Sequence, residues 1–323
     1  MFSWCPCMQP YDDVGTENME SLKTLVLGSS SSVKIPTPWE NKFYLVSFNT
    51  CDGLVCLYDL KNSGFVVNPT TRWHRHLPLC KLQQLTLDLG DDGYLKNPHP
   101  FFHLGFGKDK FTGTYKPVWL YNSAEIGLDN PTTCEVFDFA TNAWRYVTPS
   151  AHRIVHTPYP VFVDGSLHWF TECEETKVLS FDLHTEAFQV VSKTPFAINP
   201  HRLDIVMCNL DNRLCVSEMK WPNQVIWSFN SGNKTWDKMY SIDLDVTFVS
   251  YDIPLGLPPC ALLPLALLDG DKKEKEKKKL LFFYRCLSKT LFTHVLGTKS
   301  YDVAFSAEAI GYPVCYFPSL FSI

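Results

Sequence analysis

Val161-Phe162-Val163-Asp164-Gly165-Ser166-Leu167-His168-Trp169-Phe170 reads as a strand, an Asp-Gly turn and a second strand. Asp-Gly accepts the positive-φ geometry that a two-residue hairpin requires. Val178 to Leu183 is a third strand, His184 to Ala187 a polar turn, and Phe188-Gln189-Val190-Val191 a fourth strand that opens on an aromatic residue. The same pattern recurs downstream, in Ile205 to Leu210, the turn at Asp211-Asn212-Arg213, Leu214-Cys215-Val216, Val225 to Asn230 and a turn ending at Trp236. Upstream, Cys134 to Phe139 followed by Trp144 repeats the second half. Asp52-Gly53, Leu54 to Tyr58 and Phe65 to Asn68, followed by Trp73, give a further copy.

The closing aromatics Trp144, Phe188 and Trp236 fall 44 and 48 residues apart, whereas Trp73 and Trp144 are 71 apart, so an insertion lies between those two. A unit of four short strands repeating every ~40–50 residues is the signature of a propeller blade, a small twisted sheet that must stack on its neighbours to bury both faces. The reading is an all-β, kelch-like β-propeller over residues 41–323. At that period the stretch holds about six blades. Residues 1–40 break the pattern. Ser29 to Ser32 and Pro36-Thr37-Pro38 read as linker, and Glu17 to Leu27 as a short helix or strand, in an otherwise irregular extension.

Composition narrows the partners. Apolar residues make up 45% of the 323 and charged residues 20%, and 29 basic against 34 acidic residues leave a net charge of −5. Nucleic acids are held mainly by an excess of Lys and Arg, so none is expected as a partner. The apolar run Leu255 to Leu268 is interrupted by Pro258, Pro259 and Pro264 and falls short of the ~20 residues that span a membrane, so no membrane contact is expected either. No basic-then-apolar secretory leader opens the chain, and the 12 Cys show no zinc or disulfide spacing. They read as reduced, mostly buried thiols of a cytoplasmic or nuclear protein. The run Lys272 to Lys279 reads as a solvated hairpin loop, with a nuclear-import patch as the other option.

Five ordered motifs resemble the F-box-associated domain of plant F-box proteins. They are Cys51-Asp52-Gly53-Leu54-Val55-Cys56-Leu57-Tyr58; Asn68-Pro69-Thr70-Thr71-Arg72 with Leu77-Pro78; Leu104 to Asp109 with Thr112 to Lys116; Val136-Phe137-Asp138 with Trp144-Arg145; and Asp164 to Trp169. The resemblance implies a kelch-like propeller that captures a target protein through its loops, in the setting of SCF-type cullin-RING ubiquitin ligases. In that family a preceding F-box binds the Skp adaptor. No leucine-rich, Pro-containing F-box is legible in residues 1–40, and Met19 to Trp39 resembles the spacer that follows one. The target contact is therefore the stronger expectation and the adaptor contact the weaker.

Candidate chemistry has bland readings throughout. Gly105-Phe106-Gly107-Lys108 lacks the remaining P-loop residues and is followed by Asp109, so it reads as a hairpin turn in which Gly supplies positive φ. Ser166 and His168 share a strand face but sit in no nucleophile elbow. His74-Arg75-His76 and His99 to His103 have no further metal ligand at a recognisable spacing. Asp52, Asp138, Asp164, Asp182 and Asp211 recur at turns, where Asp accepts local backbone N–H groups. Trp39, Trp119, Trp169 and Trp221 fall outside the closing-aromatic set; core packing is the default expectation for them, with an exposed binding face formed by some of them as the alternative. The reading is a non-enzymatic binding domain with no catalytic, cofactor or metal residues. The alternative is a carbohydrate-binding or enzymatic propeller using its central pocket.

Overall fold

A computed structural model describes residues 23–25, 32–34, 44–91, 102–155, 159–196, 198–245, 260–268, 278–283, 290–296, 298, 301–306, 314, 319–320 and 322–323. A short antiparallel pair, β1 (Lys23–Leu25) and β2 (Ser32–Lys34), comes first and matches Lys23 with Lys34. β1 falls within Glu17 to Leu27, the stretch that reads from sequence as a short helix or strand. Trp39 lies outside the described residues.

The first large sheet is β3 (Leu45–Cys51), β4 (Leu54–Tyr58), β5 (Gly64–Asn68) and β6 (Trp73–Leu77). Helix α1 (Lys81–Asp91) follows, then β7 (Leu104–Lys108), β8 (Tyr115–Asn122), β9 (Thr132–Asp138) and β10 (Ala143–Val147). The third sheet is β11 (Val161–Val163), β12 (Ser166–Phe170), β13 (Lys177–Asp182) and β14 (Ala187–Lys193). A fourth comprises β15 (Ile205–Leu210), β16 (Arg213–Lys220), β17 (Asn223–Asn230) and β18 (Thr235–Asp243). The fifth is β19 (Leu263–Leu268), β20 (Lys279–Phe283), β21 (Thr290–Val295) and β22 (Tyr301–Ser306).

All five are antiparallel meanders, the unit expected of a propeller blade. The number differs from expectation: five four-stranded sheets stand among the described residues, not about six. Long connections account for the difference. Chain length that the period assigns to a sixth blade lies between Leu77 and Leu104, where α1 sits, and between Asp243 and Leu263. Of the Lys-rich run, Lys279 opens β20, paired with Leu268 and Val295, Lys278 precedes it, and residues 269–277 of the β19–β20 connection lie outside the described residues.

The chain forms two compact units. Phe43–Arg202 with Val314–Ile323 carries the first three large sheets, and Met1–Lys42 with Leu203–Pro313 carries the other two. In the three-sheet unit the first strands β3, β7 and β11 pack side by side. Strand pleating explains why β8 is apolar almost throughout. Trp119 and Tyr121 enter a core with Tyr58, Phe106 and Phe137, while Val118 and Leu120 point the other way, into a core with Leu167, Trp169 and Phe181. The middle sheet is thus buried on both faces.

Close packing also settles Gly105 and Gly107, which belong to strand β7 and not to a turn. A Cβ on Gly105 would lie 2.9 Å from Leu167 Cδ1, and one on Gly107 would lie 2.5 Å from Phe162 Cδ2. The positive-φ glycine of this hairpin is Gly113. The expectation of a turn at Gly105-Phe106-Gly107-Lys108 is overturned because the glycines make room for the neighbouring sheet.

The closing aromatics hold in three sheets. Phe137 stands opposite Trp144, Phe181 opposite Phe188 and Phe229 opposite Trp236, with ring centroids 5.2, 4.6 and 5.0 Å apart. Trp73 is not their equivalent: it pairs with Asn68, and His74 occupies the matching position opposite Val67. The turn before β6 has the same four residues as its counterparts, but the aromatic stands one position earlier, beside the turn, and so falls on the other face of β6.

Neutral amides fix the connections. Asn122 donates to Ile154 O (2.9 Å) and accepts from Ile154 N (2.9 Å). Asn49 donates to Pro160 O (2.8 Å) and accepts from Phe162 N (2.9 Å). In the two-sheet unit Gln224 does the same to Leu262 O and N, both at 2.8 Å. Each amide is buried and satisfies a donor and an acceptor of passing backbone that no ladder reaches.

Candidate functional site

In a four-stranded meander, the turn after the first strand and the turn after the third lie at the same end. The three-sheet unit therefore gathers its β3–β4, β7–β8, β11–β12 and β13–β14 turns, among others, onto one turn face. Its centre is the β7–β8 turn. Asp109, only 2% exposed, accepts from Phe111 N (2.8 Å), Thr112 N (3.2 Å) and Thr112 Oγ1 (2.7 Å). His184, from the β13–β14 turn, places Nδ1 3.0 Å from the same carboxylate. Burial alone would raise the Asp109 carboxyl, but the bonds from Thr112, Phe111 and His184 outweigh it and hold the carboxyl far below the ordinary range.

This rigid turn presents Phe111, 69% exposed, with its ring centroid 4.8 Å from that of His184 and Lys110 Nζ 5.5 Å from the ring. An aromatic held out on a fixed turn loses little conformational freedom when a partner covers it, the property of a binding hot spot.

Ion pairs join neighbouring turns around this centre. Lys108 reaches Asp52 (2.6 Å), which Tyr115 also bonds (2.6 Å); Lys110 reaches Asp164 (3.1 Å). Arg145 takes Glu186 in a two-pronged grip at 2.7 and 2.5 Å, and Lys116 joins it at 2.8 Å. Burial works against the charged Glu186, yet the bonds from Arg145 and Lys116 bring its carboxyl below the usual value. Ser319, near the end of the chain, donates to Asp52 O and accepts at its own carbonyl from Asn68 Nδ2 (3.0 Å).

The turn aspartates fall into two groups. Asp138 and Asp182 accept local backbone N–H groups as expected, from Ala140 in one case and from His184 and Thr185 in the other. Asp52, Asp164 and Asp211 depart from expectation. They occupy positive φ at first-hairpin turns and bind Lys108, Lys110 and Lys278 respectively, the last at 3.3 Å in the two-sheet unit.

The other candidate groups have structural employment. His168 is buried with Nδ1 3.2 Å from Val161 O, and burial pushes its pKa down to about 4. Ser166 opens the same strand, opposite Val163. His74 and His76 set their rings against Phe65, and His103 Nδ1 lies 3.1 Å from the Tyr58 hydroxyl, while His99 is outside the described residues. Trp119 and Trp169 are core residues, the default expectation, whereas Trp221 is exposed in the β16–β17 turn, as the alternative reading allowed. The cysteines at described positions are free thiols, and all but Cys173 are buried. Among the described residues no helix is long and apolar enough to cross a membrane. Sequence reading passed over Phe111, although the Asp109-x-x-Thr112-Gly113 spacing does signal a tight, side-chain-closed turn beside it.

Comparison with known proteins agrees with this architecture. The family model described as the F-box associated beta propeller domain matches residues 16–323. An F-box/LRR-repeat/kelch-repeat protein of Arabidopsis thaliana is 68% identical over 317 residues, covering 96% of this chain and 81% of the relative. Two F-box proteins of the same plant are 52% and 49% identical, covering 98% and 94% of this chain and 70% and 81% of their own lengths. The chain belongs to the F-box associated β-propeller family.

Proposed function

We propose that this chain is a non-enzymatic recognition domain that captures a target protein for an SCF-type cullin-RING ubiquitin ligase, and that it works in the cytoplasm or nucleus. Family membership supports the setting. The observation that carries target capture is Phe111, exposed on a turn that Asp109 closes and His184 braces. Partner binding there would cover an aromatic already fixed in place, while the surrounding ion pairs form a polar rim, the usual anatomy of a protein-binding surface.

The test is affinity capture from plant extract with the full chain and with Phe111→Ala, followed by mass spectrometry. Phe111 is mostly exposed, so the variant is expected to melt with the parent while losing a specific set of captured proteins. Identical captured sets would refute the turn face as the recognition surface. Co-precipitation with the Skp adaptor, using an F-box-bearing relative as control, tests the ligase setting separately; absence of the adaptor would refute that part.

A further inference from the structure

The charges around Phe111 are already matched, and that limits what can lie against it. Lys108 and Lys110 stand on either side of Asp109, and each reaches a carboxylate of a neighbouring turn, Asp52 at 2.6 Å and Asp164 at 3.1 Å. Glu186 holds both Arg145 and Lys116, at 2.5 and 2.8 Å. Asp109 is filled by Phe111 N, Thr112 N, Thr112 Oγ1 and His184 Nδ1. Asp138 and Asp182 accept from the backbone of their own turns. Arg72, exposed in the β5–β6 turn, is the cation of this face that makes no ion pair with a described carboxylate.

The two signs thus cancel pair by pair within a few ångströms, and beyond the ~8 Å screening length such a surface offers little field to a charged partner. A phosphorylated or strongly acidic segment is held by several Arg or Lys that converge on it, and one guanidinium is no such cluster. A basic segment needs carboxylates to receive it, and those on this face already have donors. Either kind of partner would have to trade an ion pair within the chain for one across the interface, with no net gain. Shape adds a second limit. Phe111 stands 69% exposed on a turn that Asp109 closes from within. A ring that projects in this way is covered best by a concave surface, as when a hot-spot aromatic enters a well-packed pocket.

Resting on the turn face as the recognition surface, we propose that its partner is a folded protein with an uncharged, apolar pocket that receives the Phe111 ring. Phosphate groups and acidic or basic tails have no part in the contact. Apolar burial is non-directional and does not depend on the attraction of opposite charges, so binding follows Phe111 and not the ionic strength.

Photo-crosslinking tests it. The full chain with p-benzoyl-phenylalanine in place of Phe111 is irradiated in plant extract at 0.1 M and at 1 M NaCl, between which the screening length falls from ~10 to ~3 Å, and the adducts are identified by mass spectrometry. The same amino acid in place of Lys238, on β18, supplies the background. Position 111 is mostly exposed, so the substituted chain is expected to melt with the parent. The expected result is a set of adducts specific to position 111 whose yields agree within about twofold at the two salt concentrations. Phosphatase treatment of the extract should leave them unchanged, and digestion of the extract to peptides should abolish them. Yields that fall by about tenfold in 1 M NaCl or after phosphatase would reveal a charged partner, and adducts that survive digestion would reveal a linear segment. Each of those results would overturn the proposal while leaving the turn face as the recognition surface. Absence of any adduct specific to position 111 would overturn the turn face itself, and the proposal with it.

Discussion

The turn face and the buried connections of the three-sheet unit are held by opposite kinds of chemistry. At the turn face, charged side chains cross from sheet to sheet, as in Lys108–Asp52 and Lys110–Asp164, and at least one partner in each pair is well exposed. At the connections, the buried neutral amides of Asn49 and Asn122 each bind both polar groups of a passing backbone segment. Exposed ion pairs contribute only ~0–1 kcal/mol, because water already stabilises the separated charges. A buried amide has no such alternative. Removing it strands a donor and an acceptor, at about 1–3 kcal/mol for each unsatisfied group. The neutral amides, and not the more numerous ion pairs, should therefore fix how these segments run.

The largest expected effect is that of Asn122→Ala, which removes both bonds to Ile154 and should lower stability by about 3 kcal/mol in urea denaturation. A loss below about 1 kcal/mol would break the comparison by showing that the connection finds other partners. Next comes pH. His168 ordinarily titrates near 6.5, but its folded value is pushed down to about 4 by burial, against the bond to Val161 O. Between those values the unfolded chain binds a proton that the folded chain refuses. Stability should be full above pH ~6.5 and fall as pH drops toward ~4, by about 3 kcal/mol in all. His168→Gln should flatten that slope, and an equal slope in the variant would assign it elsewhere.

Gly107→Ala should cost about 2 kcal/mol, because the new methyl collides with Phe162 and Leu183 in a packed interior. A neutral result would mean that β7 can back away from the third sheet. Smallest of all, Lys110→Ala should change the melting temperature by no more than an exposed pair allows, under about 1 kcal/mol. A larger loss would show the turn face to be a structural clamp as well as a rim, and would narrow the difference between the two regions.

Much of the sheet structure was legible because hairpins are local. Asp52-Gly53 and Asp164-Gly165 name their own turns through positive φ, and Phe137–Trp144 and its two counterparts name the third turn of each sheet through spacing. The number of sheets was less legible, since a period cannot distinguish a sixth blade from long connections. Helix α1 was missed for a related reason. Its first turn is closed by Glu135, 54 residues away from Lys81, and the local cap, Gln83 accepting from Cys80 N at 2.9 Å, has no Ser, Thr, Asp or Asn ahead of it to announce a helix start. The candidate site was the least legible part. Phe111 looks like any apolar residue in a chain with 23 phenylalanines, until the Asp109 turn and His184 hold it out of the core.

The sequence by itself determined the all-β repeat, the hairpins and the family, because turn chemistry, two-residue alternation and short ordered motifs act over a few residues at a time. Only the tertiary structure decided which glycines make room for a neighbouring sheet, which aspartates turn outward to lysines, and where Phe111 comes to the surface. Those outcomes depend on groups distant in sequence meeting at distances of a few ångströms, and no local pattern encodes such a meeting.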